Sequence, residues 1–369
     1  MAGVIVQDWF AARGGAENVA SEMARVFPDA PVLCLWGDEP FGGVSEERRW
    51  ESWLSRTPLR RHKATALPAM IPTWRRLPGD PDWILVSSHL FAHHARFPAA
   101  PRAKKLVYAH TPARYVWSPE LDGRGASWAA KSASRLLKPL DRKRAQEATA
   151  IAANSRFVRD RIAAAWGRES TVIYPPVDAE RLQATTNWRD RVTTREERTL
   201  SRLPDHFIMG ASRFVPYKGL DVVIGAGDRV GVPVVIAGAG PEEAKLREVA
   251  ASVTVPVYFV LDPSDELLFS LYQRAAVLVF PPVEDFGIVP VEAMCLGTPA
   301  IVNIRGGARE SLELAGGGAS WDLNLDTFSE AFERALRSRP DTSGIASRFS
   351  RARFRSELRN WMQTQLEIK

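Results

Sequence analysis

Short apolar runs alternate with helical patterns along most of this chain, and no other feature constrains its fold as strongly. Many of the runs are rich in β-branched residues, which favour strands. They cover residues 4–7, 30–35, 83–87, 105–109, 148–152, 207–211, 232–237, 257–261, 277–280 and 299–303. Strands separated by helices are typical of parallel sheets with crossover helices. The chain is therefore predicted to be an α/β protein.

A double proline at Pro175-Pro176 divides this alternation into two halves. With 369 residues, the chain is long enough for two domains that each bury a core. We expect two doubly wound domains, over residues 1–175 and 176–348. Residues 179–204 are rich in Arg and Thr and lack clear periodicity, so they predict a linker with one short helix.

The segment 276–299, AVLVFPPVEDFGIVPVEAMCLGTP, is the most informative about function. An apolar strand ends at a double proline, a short acidic loop follows, and a brief apolar helix comes next. Ligands bind at the carboxyl ends of parallel strands, and the free N–H groups of a helix start suit phosphate. Glu284 lies in the loop and Glu292 in the helix, and carboxylates accept hydrogen bonds from hydroxyl groups. The segment predicts a pocket for a nucleotide sugar.

Two basic residues follow the first strand of the second half. Arg213 and Lys218 flank the turn in SRFVPYKG. Arg can bind a diphosphate through its planar fork and Lys as a point charge. We expect both side chains to point into a crevice between the domains and to neutralise a diphosphate there.

The first half contains four further candidates. Gly14 and Gly15 follow the first strand and open a helix, and glycine lets the backbone approach an anion closely. His110, in YAHTPARYVW, follows a strand and can bind a substrate hydroxyl or a leaving phosphate. Arg114 in the same loop and Asn154 in ANSRFVRDRI are candidates for contacts with an acceptor or an anion.

The histidines of SSHLFAHH do not predict a metal site. His89 and His93 have i,i+4 spacing and His94 follows, but no Glu or third ligand accompanies them as a zinc helix requires. Asp80-Pro81-Asp82 precedes a strand and is interpreted as a turn. No metal and no cofactor are expected.

Positive charge is concentrated in residues 52–144, which hold 18 basic and 5 acidic residues. Tryptophans lie in or beside this stretch: Trp50, Trp53, Trp74, Trp83, Trp117 and Trp128. Basic residues mixed with Trp suit an anionic membrane surface, although a solvated basic face with buried Trp, or a nucleic-acid surface, fits the same pattern. Cys34 and Cys295 lie in apolar surroundings, which favours a reducing cytoplasm. We expect a cytoplasmic protein without a signal peptide or membrane span.

These motifs resemble those of glycosyltransferase family 4 (GT4), whose members are retaining enzymes with the GT-B fold. EDFGIVPVE is similar to the E-x7-E element of that family, SRFVPYKG to its diphosphate-binding Arg and Lys, and GGAE to its glycine loop. The motifs GGAENV, FPDAPV, YAHTPARYVW and ANSRFVRDRI are most similar to a bacterial subgroup of polysaccharide and O-antigen mannosyltransferases. The resemblance covers nearly the whole chain.

The resemblance implies two Rossmann-like, doubly wound domains that face a central cleft, the first for the acceptor and the second for the donor. A carboxyl-terminal helix over residues 349–369 would return to the first domain. Glu284 would bind sugar hydroxyls, Glu292 the ribose, and His110 would lie near the transferred sugar, so His110 and Glu284 are the catalytic candidates. The donor-binding residues would be Gly14, Gly15, Arg213, Lys218, Asp285, Phe286, Gly287, Ile288 and Glu292, with Asp285 replacing the Glu or small residue of many relatives.

The implied activity is a metal-independent hexosyl transfer with retention of configuration. The first expectation is mannose transfer from GDP-mannose to a lipid-linked or glycan acceptor in cell-surface polysaccharide synthesis. The acceptor would attack the face that the phosphate leaves, and the phosphate would take the proton. UDP-glucose or another UDP-sugar stays open as donor, and a GT-B-type epimerase or phosphorylase stays open as activity. The protein would lie peripherally on the inner face of the cell membrane and would not bind nucleic acid.

Overall fold

A computed structural model describes residues 2–11, 14–38, 44–61, 63–119 and 128–367. The chain forms two compact units. Unit 1 consists of Met1–Pro176 with Arg351–Lys369, and unit 2 of Val177–Ser350. Each unit contains one parallel sheet with helices, so the α/β prediction is confirmed.

Unit 1 is built on a seven-stranded parallel sheet with the order β3-β2-β1-β4-β5-β6-β7. Its strands are β1 (Gly3–Gln7), β2 (Val32–Cys34), β3 (Arg49–Glu51), β4 (Trp83–Ser88), β5 (Lys104–Ala109), β6 (Ala150–Ala153) and β7 (Thr171–Val172). The helices between them are α1 (Gly15–Val26), α2 (Lys63–Trp74), α3 (Arg114–Trp117), α4 (Trp128–Ala145) and α5 (Arg156–Trp166). In register, Ile5 of β1 lies between Val32 of β2 and Leu85 of β4.

Apolar side chains cover both faces of this sheet, because successive strand residues point to opposite faces. In β1, Val4 and Val6 pack into one cluster and Ile5 packs into another. The first cluster contains the fully buried Trp36 and Trp74. Burial on both faces explains why the strands are continuous apolar runs in the sequence.

Unit 2 repeats the topology with a six-stranded parallel sheet of order β10-β9-β8-β11-β12-β13. Its strands are β8 (Ile208–Ala211), β9 (Val234–Gly238), β10 (Val257–Leu261), β11 (Val277–Phe280), β12 (Ala300–Asn303) and β13 (Gly318–Trp321). Its helices are α6 (Ala179–Gln183), α7 (Thr194–Leu200), α8 (Leu220–Val230), α9 (Glu243–Ala251), α10 (Asp265–Arg274), α11 (Ile288–Cys295), α12 (Gly307–Ala315), α13 (Phe328–Arg337) and α14 (Thr342–Phe349).

The interpretation of residues 179–204 as a linker with one short helix was wrong. They contain all of α6, all of α7 and a 3-10 turn over Trp188–Arg191. Trp188 is buried edge-to-face against Phe269 of α10, with ring centroids 4.9 Å apart, and its indole N–H donates to the Leu182 carbonyl at 3.0 Å. These helices are too short to show an apolar period, so tertiary packing rather than amphipathicity selects them.

The last helix of the chain, α15 (Arg351–Glu367), belongs to unit 1. Phe354, Leu358 and Trp361 lie in the apolar cluster that also holds Ile5. Phe349, the first residue of the expected helix, instead ends α14 in unit 2. Within the described part of the chain, no helix combines the length and the apolar character needed to span a membrane.

Candidate active site

Both sheets have a point at which the strand order reverses direction, and the candidate residues cluster at these points. The reversal lies between β1 and β4 in unit 1 and between β8 and β11 in unit 2. Loops at the carboxyl ends of such neighbouring strands leave a crevice that binds ligands. Arg213 and Lys218 follow β8, and Glu284 follows β11, so unit 2 brings these three residues to its reversal point.

Lys218 and Glu284 form an ion pair at this point. Lys218 Nζ lies 2.5 Å from Glu284 Oε1, and both side chains are largely buried. Arg213 lies five residues before Lys218 in the sequence, and its guanidinium donates to the Tyr217 hydroxyl at 3.1 Å. In general, an ammonium group can donate hydrogen bonds to a diphosphate, and a carboxylate can accept them from sugar hydroxyls.

The loop between β11 and α11 is fixed by neighbouring elements of unit 2. The Asn303 amide donates to the Pro281 carbonyl at 2.7 Å, the Gly307 N–H to the Glu284 carbonyl at 2.7 Å, and the Ser311 hydroxyl to the Phe286 carbonyl at 2.7 Å. Asp285 and Phe286 follow Glu284 in this loop, and the Phe286 ring is buried. Three hydrogen bonds to residues that follow β11 in unit 2 therefore anchor this loop.

Gly287 directly precedes α11, and the backbone conformation at this position requires glycine. Its φ is +85°, and an added Cβ would lie 2.7 Å from the Cβ of Ala308. Ile288 is the first helical residue, and the first amides of a helix have no partner inside it. Gly287 and Ile288 therefore place N–H groups beside Glu284, where a phosphate group can accept their hydrogen bonds.

Glu292 lies in α11, one turn after Ile288, and is half-buried. Burial, together with the smaller effects of the Asp265 and Asp178 carboxylates, raises the pKa of Glu292 to about 8 against the opposing charge of Arg181. At neutral pH its carboxyl group is therefore mostly protonated. A carboxylic acid can donate one hydrogen bond and accept others, which suits a pair of hydroxyl groups.

In unit 1, His110 is the first residue after β5 and is buried. Its Nε2 pairs with the Ser87 hydroxyl at 2.9 Å, and its backbone N–H donates to the Ser88 carbonyl at 2.8 Å. Burial, with a smaller contribution from His89, lowers the pKa of His110 to about 3. This imidazole is neutral at physiological pH, so it can exchange hydrogen bonds but carries no charge.

Asp8 also lies at the reversal point of unit 1, and the sequence interpretation assigned it no role in the site. It follows β1, is fully buried, and accepts four backbone N–H groups from residues 89–92 at 2.7–3.0 Å. His89 Nδ1 lies 3.5 Å from Asp8 Oδ2, and the His89 ring packs edge-on against Trp9. A carboxylate directly after the first strand was the signal that could have identified it.

Gly14 and Gly15 lie at the start of α1. The Glu17 side chain turns back over Gly14 and accepts the Ala11 N–H at 3.1 Å. A Cβ on Gly14 would lie 2.1 Å from Glu17 Oε2, so the glycine makes room for this contact. The GGAE motif thus closes the loop after β1 by a local hydrogen bond.

The last two candidates of unit 1, Asn154 and Arg114, lie on different elements. Asn154 follows Ala153 of β6, which pairs with Ala109 of β5, so Asn154 and His110 follow neighbouring strand ends. Asn154 is buried and accepts a hydrogen bond from the Ser155 hydroxyl at 3.3 Å. Arg114 is half-buried and begins α3, four residues beyond His110.

The expectation that His93 and His94 have no third ligand was wrong. Both Nε2 atoms lie 3.0 Å from Oδ1 of Asp141 in α4, 47 residues beyond His94, and the three residues could hold a cation. Trp117 and Trp166 donate to Oδ2 at 2.7 Å. Burial raises the pKa of Asp141, but hydrogen bonds and charge interactions with the histidines outweigh it and hold the pKa well below its usual range.

Comparison with known proteins identifies the class. The model of the group 1 glycosyl transferases matches residues 193–352, and that of glycosyltransferase family 4 matches residues 13–181. Two units, each built on one parallel sheet, form the GT-B architecture of glycosyltransferases. The chain belongs to glycosyltransferase family 4, as the motif resemblance indicates.

Similar proteins include two curated mannosyltransferases. The GDP-mannose-dependent alpha-(1-6)-phosphatidylinositol monomannoside mannosyltransferase of Mycobacterium tuberculosis is 30% identical over 199 residues, 48% of this chain and 50% of the relative. O-antigen chain mannosyltransferase C of Escherichia coli is 32% identical over 123 residues, 32% of this chain and 30% of the relative. The chain thus spans half or less of the length of these curated relatives.

A solved structure shows the same fold over nearly the full chain. The crystal structure of Anabaena HepE in complex with UDP and glucose has a TM-score of 0.69 at 18% identity, and the match covers 98% of this chain and 99% of HepE.

Proposed function

We propose that this glycosyltransferase moves mannose from GDP-mannose to a lipid-linked or glycan acceptor, with retention of configuration. The observation that carries the proposal is the Lys218–Glu284 pair beside the start of α11. It combines a cation for the leaving diphosphate with a carboxylate for sugar hydroxyls. The mannosyltransferase relatives support the choice of sugar and nucleotide.

In this mechanism the charge that develops on the leaving diphosphate is stabilised by Lys218, Arg213 and the amides of Gly287 and Ile288. The bond between the sugar anomeric carbon and the phosphate oxygen breaks, and a bond to the acceptor oxygen forms on the same face. The acceptor proton passes to the departing phosphate. Lys218 and Arg213 supply the positive charge, so no metal is required.

The other residues orient the substrates. Glu284 accepts hydrogen bonds from hydroxyls of the transferred sugar, with Asp285 and Phe286 shaping the same loop. Glu292 binds the ribose through its carboxyl group. In unit 1, neutral His110 binds a hydroxyl of the sugar or acceptor, Gly14 and Gly15 face the donor phosphates, and Arg114 and Asn154 serve the acceptor.

A panel of nucleotide sugars tests the donor. Thermal shift and slow donor hydrolysis are measured for the full chain with GDP-mannose, GDP, UDP-glucose and UDP, and repeated with a chelator. Stabilisation by GDP-mannose and GDP, with hydrolysis of GDP-mannose but not of UDP-glucose, is expected, unchanged by the chelator. A UDP-sugar is the second candidate, because the same fold in HepE contains UDP and glucose. A response to UDP-sugars alone would reject GDP-mannose as the donor.

The proposal places the enzyme on the cytoplasmic face of a membrane through unit 1. Trp50 and Trp53 are 47% and 58% exposed and line a cavity of about 450 Å³ together with Arg76. Exposed indoles beside Arg suit the headgroup region of an anionic membrane. Trp74 and Trp83 are buried, and Trp117 is half-buried with its indole N–H donated to Asp141. Among the tryptophans of this stretch whose side chains the structure describes, Trp50 and Trp53 are therefore the exposed ones; the side chain of Trp128 lies outside the described residues.

Vesicle sedimentation tests this surface. Trp50→Ala with Trp53→Ala is expected to weaken binding to phosphatidylglycerol vesicles about tenfold, because buried indole area is lost. Leu136→Ala is the control, since Leu136 is 80% exposed and does not line that cavity. Equal losses in both variants would argue against this surface.

A further inference from the structure

A second cavity of unit 1, of about 280 Å³, lies at the opposite edge of the sheet from His110 and Asp8. It reaches Ile84 near the start of β4 and Lys105 near the start of β5, whereas the candidate active-site residues follow strand ends. Its charged lining residues are Arg75, Arg96, Lys105, Arg144 and Glu147. None of these residues has a part in the proposed sugar transfer.

The charges in this cavity do not balance. Glu147 accepts hydrogen bonds from Arg75 at 2.6 Å, Arg144 at 2.7 Å and Lys105 at 3.3 Å. Although burial raises the pKa of Glu147, these cations lower it to about 2, so the group is ionised at neutral pH. One carboxylate neutralises one of four cations, and the lining keeps an excess of positive charge.

Two of the cations are held by the protein itself. Lys105 is buried and donates to the carbonyls of His93 and Ala95 at 2.9 and 3.2 Å, and Arg75 donates to the His94 carbonyl at 3.0 Å. These contacts fix the turn after β4. Arg75 and Lys105 therefore have structural roles as well as their charge.

The other two have unused donors. Arg144 Nε is buried and lacks a hydrogen-bond partner. Arg96 is exposed, and its guanidinium has no hydrogen-bond or ion-pair partner among the residues that the structure describes. Guanidinium groups bind tetrahedral oxyanions through several N–H donors at once. An oxyanion in the cavity would use these donors and reduce the repulsion among the cations.

We propose that this cavity binds a phosphoryl group, carried by an anionic lipid or free in solution. Its volume admits a phosphate with its substituents. Arg75 lines this cavity and the next residue, Arg76, lines the tryptophan-lined cavity, so each cavity includes one of the two residues that directly follow α2. The inference stands without the proposed transferase activity.

Two binding measurements test the site, with inorganic phosphate followed by calorimetry and phosphatidylglycerol vesicles followed by sedimentation. The test variant is Arg96→Ala with Arg144→Ala. The control is Arg61→Ala with Arg135→Ala, two exposed arginines of the same basic stretch that do not line the cavity. Both double variants remove two positive charges. Arg96→Ala alone is included because that exposed side chain has no hydrogen bond or ion pair to a residue in the described part of the chain, so its loss should not unfold the protein.

We expect the test variant to lose about tenfold in affinity and the control less than about twofold. A loss confined to inorganic phosphate would identify a free oxyanion, and a loss confined to vesicles would identify a lipid phosphate; a loss with both probes supports the site for either source. Equal behaviour of test and control variants with both probes would overturn the proposal, because bulk charge would then explain the binding.

Discussion

The two units share the order of six strands, to which unit 1 adds a seventh at one edge, yet their reversal points carry different chemistry. Unit 2 presents an ion pair, Lys218 with Glu284, in a loop that three hydrogen bonds fix. Unit 1 presents a neutral histidine, His110, and a carboxylate, Asp8, that is fully occupied by backbone amides. The shared strand order thus brings loop residues to the reversal point in both units. The side chains of those loops then determine whether a residue forms an ion pair or accepts hydrogen bonds from the backbone.

The largest expected effect concerns the structural carboxylate of unit 1. Asp8→Ala leaves four buried N–H groups without an acceptor, and we expect a loss of about 4 kcal/mol in the free energy of unfolding. Urea denaturation measures it. Asp29→Ala, at an exposed carboxylate, should change stability by less than about 0.5 kcal/mol. If the two variants were equally stable, Asp8 would have no structural role.

The matching test in unit 2 concerns the paired carboxylate. Glu284→Ala is expected to lower donor turnover about 100-fold without a comparable loss of stability, because an electrostatic contact to the substrate is removed. Asp285→Ala, one residue away, should lower it less than about tenfold. Donor hydrolysis and thermal melts provide the measurements. Comparable losses of turnover in the two variants would show that the sugar-binding role has been assigned to the wrong carboxylate.

His110 should behave as a neutral group. Its pKa of about 3 keeps the imidazole uncharged between pH 5 and 8, so the pH profile of donor turnover should contain no limb from this residue. We expect His110→Phe to lower turnover about tenfold and His110→Gln to lower it less, since glutamine keeps a hydrogen bond. A proton NMR titration of His110 with a midpoint between pH 6 and 7 would contradict this assignment.

Glu292 gives the smallest effect, visible in the pH dependence of stability. Its folded pKa of about 8 lies above the unfolded value near 4.5, so the folded state holds an extra proton between these values and loses stability as pH rises through them. Glu292→Gln removes this loss. We expect its melting temperature to exceed that of the wild type by about 2–4 °C at pH 8.5 and to differ little at pH 4. A constant offset at both pH values would exclude the titration.

The sequence predicted the strands whose residues form apolar runs, including the edge strand β10, but missed the edge strands β3 and β13. β1, β4 and β11 are continuous apolar runs, whereas β3 reads Arg-Trp-Glu and β13 reads Gly-Ala-Ser-Trp, which no apolar pattern distinguishes from a loop. Contacts distant in sequence were equally hidden. Asp8 was not considered because its four amide partners lie more than 80 residues away, and Asp141 because it reaches the histidines from another helix.

The sequence predicted the candidate site to the extent that a motif and the end of a strand determine where a residue lies. The sequence placed Lys218 and Glu284 after strands that proved to be neighbours, β8 and β11. It did not predict that the two side chains pair with each other, nor that burial and neighbouring carboxylates raise the pKa of Glu292. Both depend on side-chain distances that only the folded chain defines.

The placement of α15 has a consequence for how the chain is made on the ribosome. Phe354, Leu358 and Trp361 cover one apolar face of unit 1, but they are synthesised only after the whole of unit 2. At 5–20 residues per second, that face stays uncovered for roughly 10–35 s while unit 2 emerges and folds. A premature stop within unit 2 would therefore leave both units incomplete, and the nascent first unit is the part of this protein most in need of a chaperone.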